Sequence, residues 1–173
     1  MEEYLQKEKL EEMMKKPVRG KKIGIVHLQM VRESRCLYGM GRLTQPEKAV
    51  EVVRPLLELA DREMLVVMSL SVKMEPLAIE IAAIGGMDSC TIDIRCIFKH
   101  ALLNNAACIL CFHNHTSGNP EPSIDDCLMT KKLQEAGKLL GVVLADHIII
   151  GTDGFYSFME HGKVDRLEPD SVA

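Results

Sequence analysis

The chain has 173 residues, of which 47% are hydrophobic, 27% charged and 4% aromatic. This composition is typical of one ordinary globular domain and excludes a largely disordered chain. The formal net charge of −4 disfavours a dedicated nucleic-acid-binding protein, because such proteins usually carry an excess of Lys and Arg. The longest apolar run, Ala106 to Phe112, has seven residues, against the ~20 that a membrane-spanning helix needs. We therefore expect no membrane insertion.

The amino-terminal sequence, MEEYLQKEKLEEMMKK, lacks the apolar core and the cleavage site of a secretory signal. The six cysteines are therefore interpreted as reduced, mostly buried thiols of a cytoplasmic protein. Residues 1–22 are predicted to form a charged helix and a basic linker, Lys15 to Lys22, which is either a solvated hinge or a contact for a phosphate or a partner. Residues 23–162 are predicted to form the folded domain, and residues 163–173 a polar tail.

Hydrophobic periodicity and turn residues predict the elements of this domain. The first half contains a strand from Ile23, a helix from the capping-box pattern Thr44-Gln45-Pro46-Glu47, which Pro55 bends or breaks, and paired strands over Glu63–Leu70 and Pro76–Gly85. The second half contains a helix over Asp93–Asn104, a buried strand over Ala106–Phe112, a helix over Ser123–Leu140 that ends at Gly141, and strands over Val142–Gly151 and Gly154–Glu160. This order predicts a mixed α/β fold, with a sheet covered by helices.

Helical spacing also predicts which side chains face the core. The predicted inward residues are Ile94, Ile97, Phe98, Ala101 and Leu102 in the Asp93–Asn104 helix, and Ile124, Leu128, Leu133, Ala136 and Leu140 in the Ser123–Leu140 helix.

The segment that follows the buried strand has the pattern of a metal site. Residues two apart in an extended chain point to the same side, so His113 and His115 can face one point. A seven-residue loop then leads to the helix that begins at Ser123 and carries Asp126 in its first turn. Two imidazoles and a carboxylate suit zinc, and three protein ligands leave a fourth position for water, as in catalytic zinc sites.

Each part of this pattern has a simpler interpretation. Ser123 and Asp126 also fit a capping box, in which they would only cap the helix. His113 and His115 could form a hydrogen-bonded pair in the core. The occurrence of both parts together favours the metal site, because a turn-rich loop returns a carboxylate to two histidines at the end of a strand.

His-x-His, seven residues, Ser, two residues and Asp resemble the signature of the JAB/MPN metalloprotease family, the JAMM motif. The flanking sequences Asp61-Arg62-Glu63 and Asp146-His147-Ile148-Ile149-Ile150-Gly151 are similar to its bacterial RadC-like branch, and the resemblance covers roughly residues 30 to 162. It implies one cytidine-deaminase-like α/β domain with a curved mixed sheet flanked by helices. One departure is Thr116, which stands where the family usually has proline; it removes no ligand.

The resemblance also implies which residues carry the function. The zinc ligands would be His113, His115 and Asp126, Glu63 would be the catalytic glutamate, and Ser123 the catalytic serine. Such a site would hydrolyse peptide or isopeptide bonds with metal-activated water, Glu63 moving a proton from that water to the leaving amine and Ser123 donating to the oxyanion. The simpler interpretation of Glu63 is a solvent-exposed strand end.

Two other functions remain open from the sequence. One is the DNA-repair or mobile-element accessory role that RadC-like proteins are often given, and the other is a catalytically silent interaction scaffold. The expected partner is a protein or peptide substrate; any DNA association should be weak, because positive charge is concentrated only in Lys15 to Lys22. A homo-oligomer is left open.

Three further patterns are interpreted without a catalytic role. Cys108 and Cys111 are three residues apart in a strand, so their sulfur atoms should point to opposite faces and not share a metal. Asp146 and His147 are interpreted as a hydrogen-bonded structural pair close to the site. Gly39-Met40-Gly41 resembles the glycine turn of a helix-hairpin-helix DNA motif only faintly.

Overall fold

The computed structural model describes residues 15, 31, 41–58, 60–85 and 93–165. The chain divides into two compact units, residues 1–34 and residues 35–173, and every element below belongs to the second. The predicted helix over residues 1–16, the basic linker, the strand from Ile23 and the Gly39-Met40-Gly41 turn lie outside the described residues, apart from Lys15 and Gly41.

The described part of the second unit contains three helices and five strands. They are α1 Pro46–Leu57, β1 Met64–Leu70, β2 Pro76–Ile84, α2 Ile94–Leu103, β3 Cys108–Asn114, α3 Ile124–Leu140, β4 Val143–Ile150 and β5 Phe155–Ser157. The strands form one sheet in the order β2-β1-β3-β4-β5, in which only β3 and β4 run parallel among these pairs. The predicted mixed α/β fold is therefore confirmed. No helix in this described part is long and apolar enough to cross a membrane.

Alternating side chains of the sheet build two cores. Val66, Met68 and Phe112 pack with α1 on one face. Leu65 and Val67 pack with α2 and α3 on the other face. The sheet is therefore covered by helices on both sides, as the alternation of buried strands requires.

Cys108 and Cys111 of β3 belong to different cores, so the prediction that they cannot share a metal is confirmed. Burial raises the pKa of the Cys108 thiol to about 11 and that of Cys111 to about 12. Both side chains therefore remain neutral thiols at physiological pH.

The predicted inward face of α3 is confirmed for Leu133, which is buried, and for Ala136, which packs partly buried against the core, but it is wrong for three other residues. Ile124 is 81% exposed and Leu128 51% exposed, and Leu140 is exposed as well. The buried residues of this helix are Thr130, Leu133 and Gly137. At Gly137 the reason is close packing: a Cβ atom there would lie 2.4 Å from the main-chain oxygen of Val142, just before β4, so the helix can approach this main chain only without a side chain.

Two smaller predictions are also wrong. Leu102 of α2 is half exposed, and the buried position is His100, whose Nδ1 lies 3.1 Å from Ser69 Oγ. The capping box predicted at Thr44 is not formed, because α1 has Gln45 as its N-cap without a side-chain hydrogen bond and starts with Pro46. Pro55 lies inside α1, which continues to Leu57.

Candidate metal centre

Three side chains meet where β3 ends and α3 begins. The Nε2 atoms of His113 and His115 lie 3.0 Å apart. Asp126 places Oδ1 3.2 Å from His113 Nε2 and Oδ2 3.4 Å from His115 Nε2. The structure thus brings the three predicted metal ligands together, from the end of a buried strand and the first turn of a helix.

Asp126 performs the simpler role as well. Its Oδ2 accepts hydrogen bonds from Ser123 N at 2.7 Å and from Ser123 Oγ at 2.6 Å, while Asp126 N donates to Ser123 Oγ at 3.2 Å, which completes a capping box. Burial by itself raises the pKa of Asp126, but hydrogen bonds with His113, His115 and Ser123 together hold it well below its usual range. The carboxylate is therefore ionised, and the cap fixes its direction.

His115 is held by the loop that follows it. Its Nδ1 lies 2.8 Å from Asn119 O, and its main-chain N donates to Ile150 O. A carbonyl oxygen only accepts, so Nδ1 carries the ring proton and Nε2 faces Asp126 with a lone pair when the ring is neutral. When His115 is protonated, its Nε2 can donate to Asp126, and this hydrogen bond raises the pKa of His115. Thr116, the departure from the family pattern, is exposed in the adjoining turn.

Glu63 immediately precedes β1 and interacts electrostatically with His115. It is half-buried, and its charge contributes to the raised pKa of His115, after the larger effect of Asp126. The main-chain oxygen of Glu63 accepts a hydrogen bond from Gly85 N at 2.8 Å. The structure therefore places the predicted proton carrier within electrostatic range of a predicted ligand, although the two are far apart in the sequence.

Asn114, between the two histidines, holds the chain on both sides of Glu63. Its Nδ2 donates to Arg62 O at 3.0 Å, and its Oδ1 accepts from Met64 N at 2.8 Å. The sequence analysis missed this residue. The available signal was a polar amide that alternates with two histidines at the end of a strand, which is otherwise apolar.

His147 extends the cluster into the core. Its Nε2 lies 2.9 Å from His113 Nδ1, its Nδ1 lies 2.7 Å from Thr130 Oγ1, and its ring stacks on Phe158. The predicted hydrogen-bonded pair with Asp146 is confirmed, although it forms through the main chain: His147 N donates to Asp146 Oδ1 at 2.7 Å. Burial lowers the pKa of His147 well below its ordinary value.

The donor set fits a divalent metal ion. The cluster directs the Nε2 atoms of two histidines and an ionised carboxylate to one point, an arrangement that a shared cation would stabilise. Imidazole and carboxylate are ligands typical of zinc and neighbouring transition metals. The group of His113, His115 and Asp126 could therefore bind a metal, with three ligand atoms within 4.8 Å of one another.

A helix-covered mixed sheet that carries this His-His-Asp group at the β3–α3 junction defines a JAB-type domain. The family model described as "RadC-like JAB domain" matches residues 43–163. The chain belongs to the RadC-like JAB domain family, which confirms the resemblance found in the motif.

Similar proteins occur in bacteria and archaea. The chain is 39% identical over 143 residues to a UPF0758 protein of Listeria monocytogenes serotype 4b, covering 83% of this chain and 60% of that relative. It is 36% identical to a UPF0758 protein of Salinibacter ruber, covering 72% and 53% respectively. For a UPF0758 protein of Methanosarcina mazei the identity is 34%, covering 71% and 54%. The chain thus spans between about half and 60% of the length of these relatives.

Proposed function

We propose that the chain is a zinc-dependent hydrolase of peptide or isopeptide bonds. The observation that carries this proposal is the convergence of His113 Nε2, His115 Nε2 and the Asp126 carboxylate, with Glu63 within electrostatic range of His115. These three side chains would hold the zinc ion. Zinc bound by three protein ligands lowers the pKa of a water in its fourth position to about 7 and polarises a substrate carbonyl.

Glu63 is the proton carrier in this proposal. A carboxylate beside the metal ligands accepts a proton from the attacking water and delivers it to the leaving nitrogen. Glu63 is only half-buried, so a substrate can reach it from solvent. Its main chain is anchored through Gly85 and its two neighbours through Asn114, so the main-chain position from which the carboxylate extends does not depend on the substrate.

Ser123 is proposed to stabilise the oxyanion of the tetrahedral intermediate. It is the N-cap of α3, where the helix dipole places partial positive charge. Its hydroxyl proton points to Asp126 in the structure, and rotation about the Cβ–Oγ bond would direct it to the oxyanion instead. The partner that this chemistry requires is a protein or peptide substrate. It would bind at the end of the sheet where the central strand β3 terminates.

The proposal is tested by metal content and by hydrolysis. Elemental analysis of untagged protein, purified without added metal, should find one zinc per chain, and Asp126→Ala should lose it. A library of peptides and isopeptides then identifies a substrate. Glu63→Gln should keep zinc while hydrolysis falls by about two to four orders of magnitude, the usual contribution of a general base.

Glu75→Gln is the matched control, because Glu75 is an exposed carboxylate at the opposite end of β1. It should hydrolyse the substrate at the wild-type rate. If the protein binds no zinc and added zinc leaves its Tm unchanged, the metal-dependent function is wrong. If Glu63→Gln retains the wild-type rate, Glu63 is not the proton carrier.

A further inference from the structure

We propose that Thr130 and His147 are positioning residues that fix the tautomer of His113, so that the Nε2 lone pair of His113 faces the metal. The inference rests on the proposed metal-binding role of His113. It assigns a role to Thr130 and His147, two buried polar residues that the proposed hydrolytic mechanism does not use. Their side chains form a hydrogen-bonded row that runs from α3 through β4 to β3.

Thr130 determines which atom donates and which accepts in each hydrogen bond of this row. Its Oγ1 lies 2.7 Å from the main-chain oxygen of Asp126. A carbonyl oxygen can only accept, so the hydroxyl proton must lie between these two oxygen atoms. A threonine hydroxyl has one proton, and towards His147 it can therefore only accept. Because His147 Nδ1 lies 2.7 Å from the same hydroxyl oxygen, this Nδ1 must carry the ring proton.

The tautomer of His147 in turn determines the tautomer of His113. The His147 ring is fully buried and stacks on Phe158 with 4.8 Å between the ring centroids and 13° between the ring planes. Burial favours the neutral imidazole, and a neutral ring protonated on Nδ1 has its lone pair on Nε2. His113 Nδ1 lies 2.9 Å from this lone pair and must donate to it.

The lone pair of His113 is consequently on Nε2, the atom that lies 3.0 Å from His115 Nε2 and 3.2 Å from Asp126 Oδ1. His115 reaches the same state by a different route, because Asn119 O accepts from its Nδ1. The reverse tautomer of His147 would place a proton on His113 Nε2, where it would exclude a metal ion. The row thus orients a ligand in the way that hydrogen-bonded partners of metal-bound histidines do.

Nitrogen-15 NMR of the full-length, metal-free chain at pH 8 shows which ring nitrogen carries the proton. We expect Nδ1–H for both His113 and His147. Thr130→Val removes the acceptor of His147 at nearly constant volume, and it should lower zinc affinity about 10- to 100-fold, measured by competition with a chromophoric chelator. Thr130→Ser keeps the hydroxyl and should retain the wild-type affinity.

Ser69→Ala is the matched control, because Ser69 Oγ contacts another buried histidine, His100, at 3.1 Å. It removes a hydroxyl from a buried histidine elsewhere and should leave zinc affinity unchanged. A proton on Nε2 of His113 in the wild type, or wild-type zinc affinity in Thr130→Val, would overturn the inference. If the wild type binds no zinc, the proposed function fails, while the tautomers still decide the inference. The tautomers measured in the wild type also decide the inference if Thr130→Val does not fold.

Discussion

Ser123 and Asp126 bind each other reciprocally: Asp126 Oδ2 accepts from both the main-chain N and the Oγ of Ser123, and Asp126 N donates back to Ser123 Oγ. The carboxylate that caps α3 is thus the same one that faces the two histidines. The helix N-cap and the proposed metal ligand are therefore one structural unit, and a change at Ser123 should affect both.

Ser123→Ala should lower both the free energy of unfolding and the affinity for zinc. Loss of the cap costs about 0.5–2 kcal/mol. Asp126 would also lose the Oγ donor at 2.6 Å that fixes the direction of its carboxylate, so zinc should bind more weakly. Chemical denaturation measures the first effect, and competition with a chelator measures the second.

Asp93→Ala is the control for this pair of effects. Asp93 is the N-cap of α2, and its side chain accepts from Arg95 N at 2.9 Å. The variant should also destabilise its helix, but it should bind zinc like the wild type. Equal loss of zinc in both variants would show that the effect follows from general stability and not from the carboxylate of Asp126.

The sequence predicted the parts of the site that depend on local geometry. Strand alternation places His113 and His115 on one side, and helix capping places Asp126 at the start of α3, so neither needs knowledge of distant contacts. His147 could not be placed in this way, because its contact with His113 arises from the parallel pairing of β3 with β4. Asn114 was missed for the same reason, since its two hydrogen bonds are with β1 and the residue before Glu63.

The prediction of the buried face of α3 failed at several residues for a different reason. A search for apolar residues at helical spacing favours the large side chains of Ile124 and Leu128, both of which are exposed. The buried residues are Thr130, Leu133 and Gly137, and at Gly137 the helix lies too close to the main chain of Val142 for any side chain. Threonine and glycine on a closely packed helix face carry little hydrophobic signal.

Gly151→Ala should displace the loop that holds His115. A Cβ atom on Gly151 would lie 2.4 Å from Gly118 O and 2.8 Å from Pro120 Cδ. Overpacking of this kind costs about 1–3 kcal/mol. It should also move Asn119, whose carbonyl oxygen accepts from His115 Nδ1, and thereby weaken zinc binding. Thermal unfolding with and without zinc measures both effects.

Gly154→Ala is the control for the same turn. A Cβ atom on Gly154 would meet nothing within 4 Å among the residues that the structure describes. Its stability and its response to zinc should match the wild type. If Gly151→Ala behaves in the same way, the loop is not held by this contact.

Asp146 should make the stability of the protein depend on pH. Burial raises its pKa from 3.8 to about 6, although it accepts from the main-chain N of His147 and Met159. The folded protein therefore binds a proton that the unfolded chain releases at lower pH. The contribution of this group to stability is fully present below about pH 4 and is lost as the pH rises through about 6.

Asp146→Asn should remove this part of the pH dependence. The amide oxygen can still accept from the main chain, and the amide nitrogen can donate to Ser157 Oγ, so the fold should persist. Urea denaturation between pH 4 and 7 should show a smaller loss of stability with rising pH in the variant than in the wild type. Asp153→Asn, at an exposed carboxylate in the β4–β5 turn, should leave the pH dependence unchanged. Identical profiles for Asp146→Asn and the wild type would refute the assignment.

Asn114→Ala should separate hydrolysis from metal binding. The variant loses the hydrogen bonds with Arg62 O and Met64 N that hold the chain on either side of Glu63. It keeps His113, His115 and Asp126, so zinc content should remain at one ion per chain. The main chain on either side of Glu63 would be held less firmly, and proton transfer requires that its carboxylate lie within hydrogen-bond distance of the water. We expect kcat to fall while the affinity for zinc stays near that of the wild type.

The size of this effect is bounded by Glu63 itself. Misplacing the proton carrier cannot cost more than removing it, so the loss in kcat should lie between none and the two to four orders of magnitude expected for Glu63→Gln. The double variant Glu63→Gln, Asn114→Ala should then be no slower than Glu63→Gln alone, because Asn114 acts only through Glu63. Asn104→Ala, which removes an amide donor to His100 O at 2.9 Å in α2, controls for the loss of a side-chain hydrogen bond elsewhere. Additive losses in the double variant would mean that Asn114 contributes by some route other than Glu63.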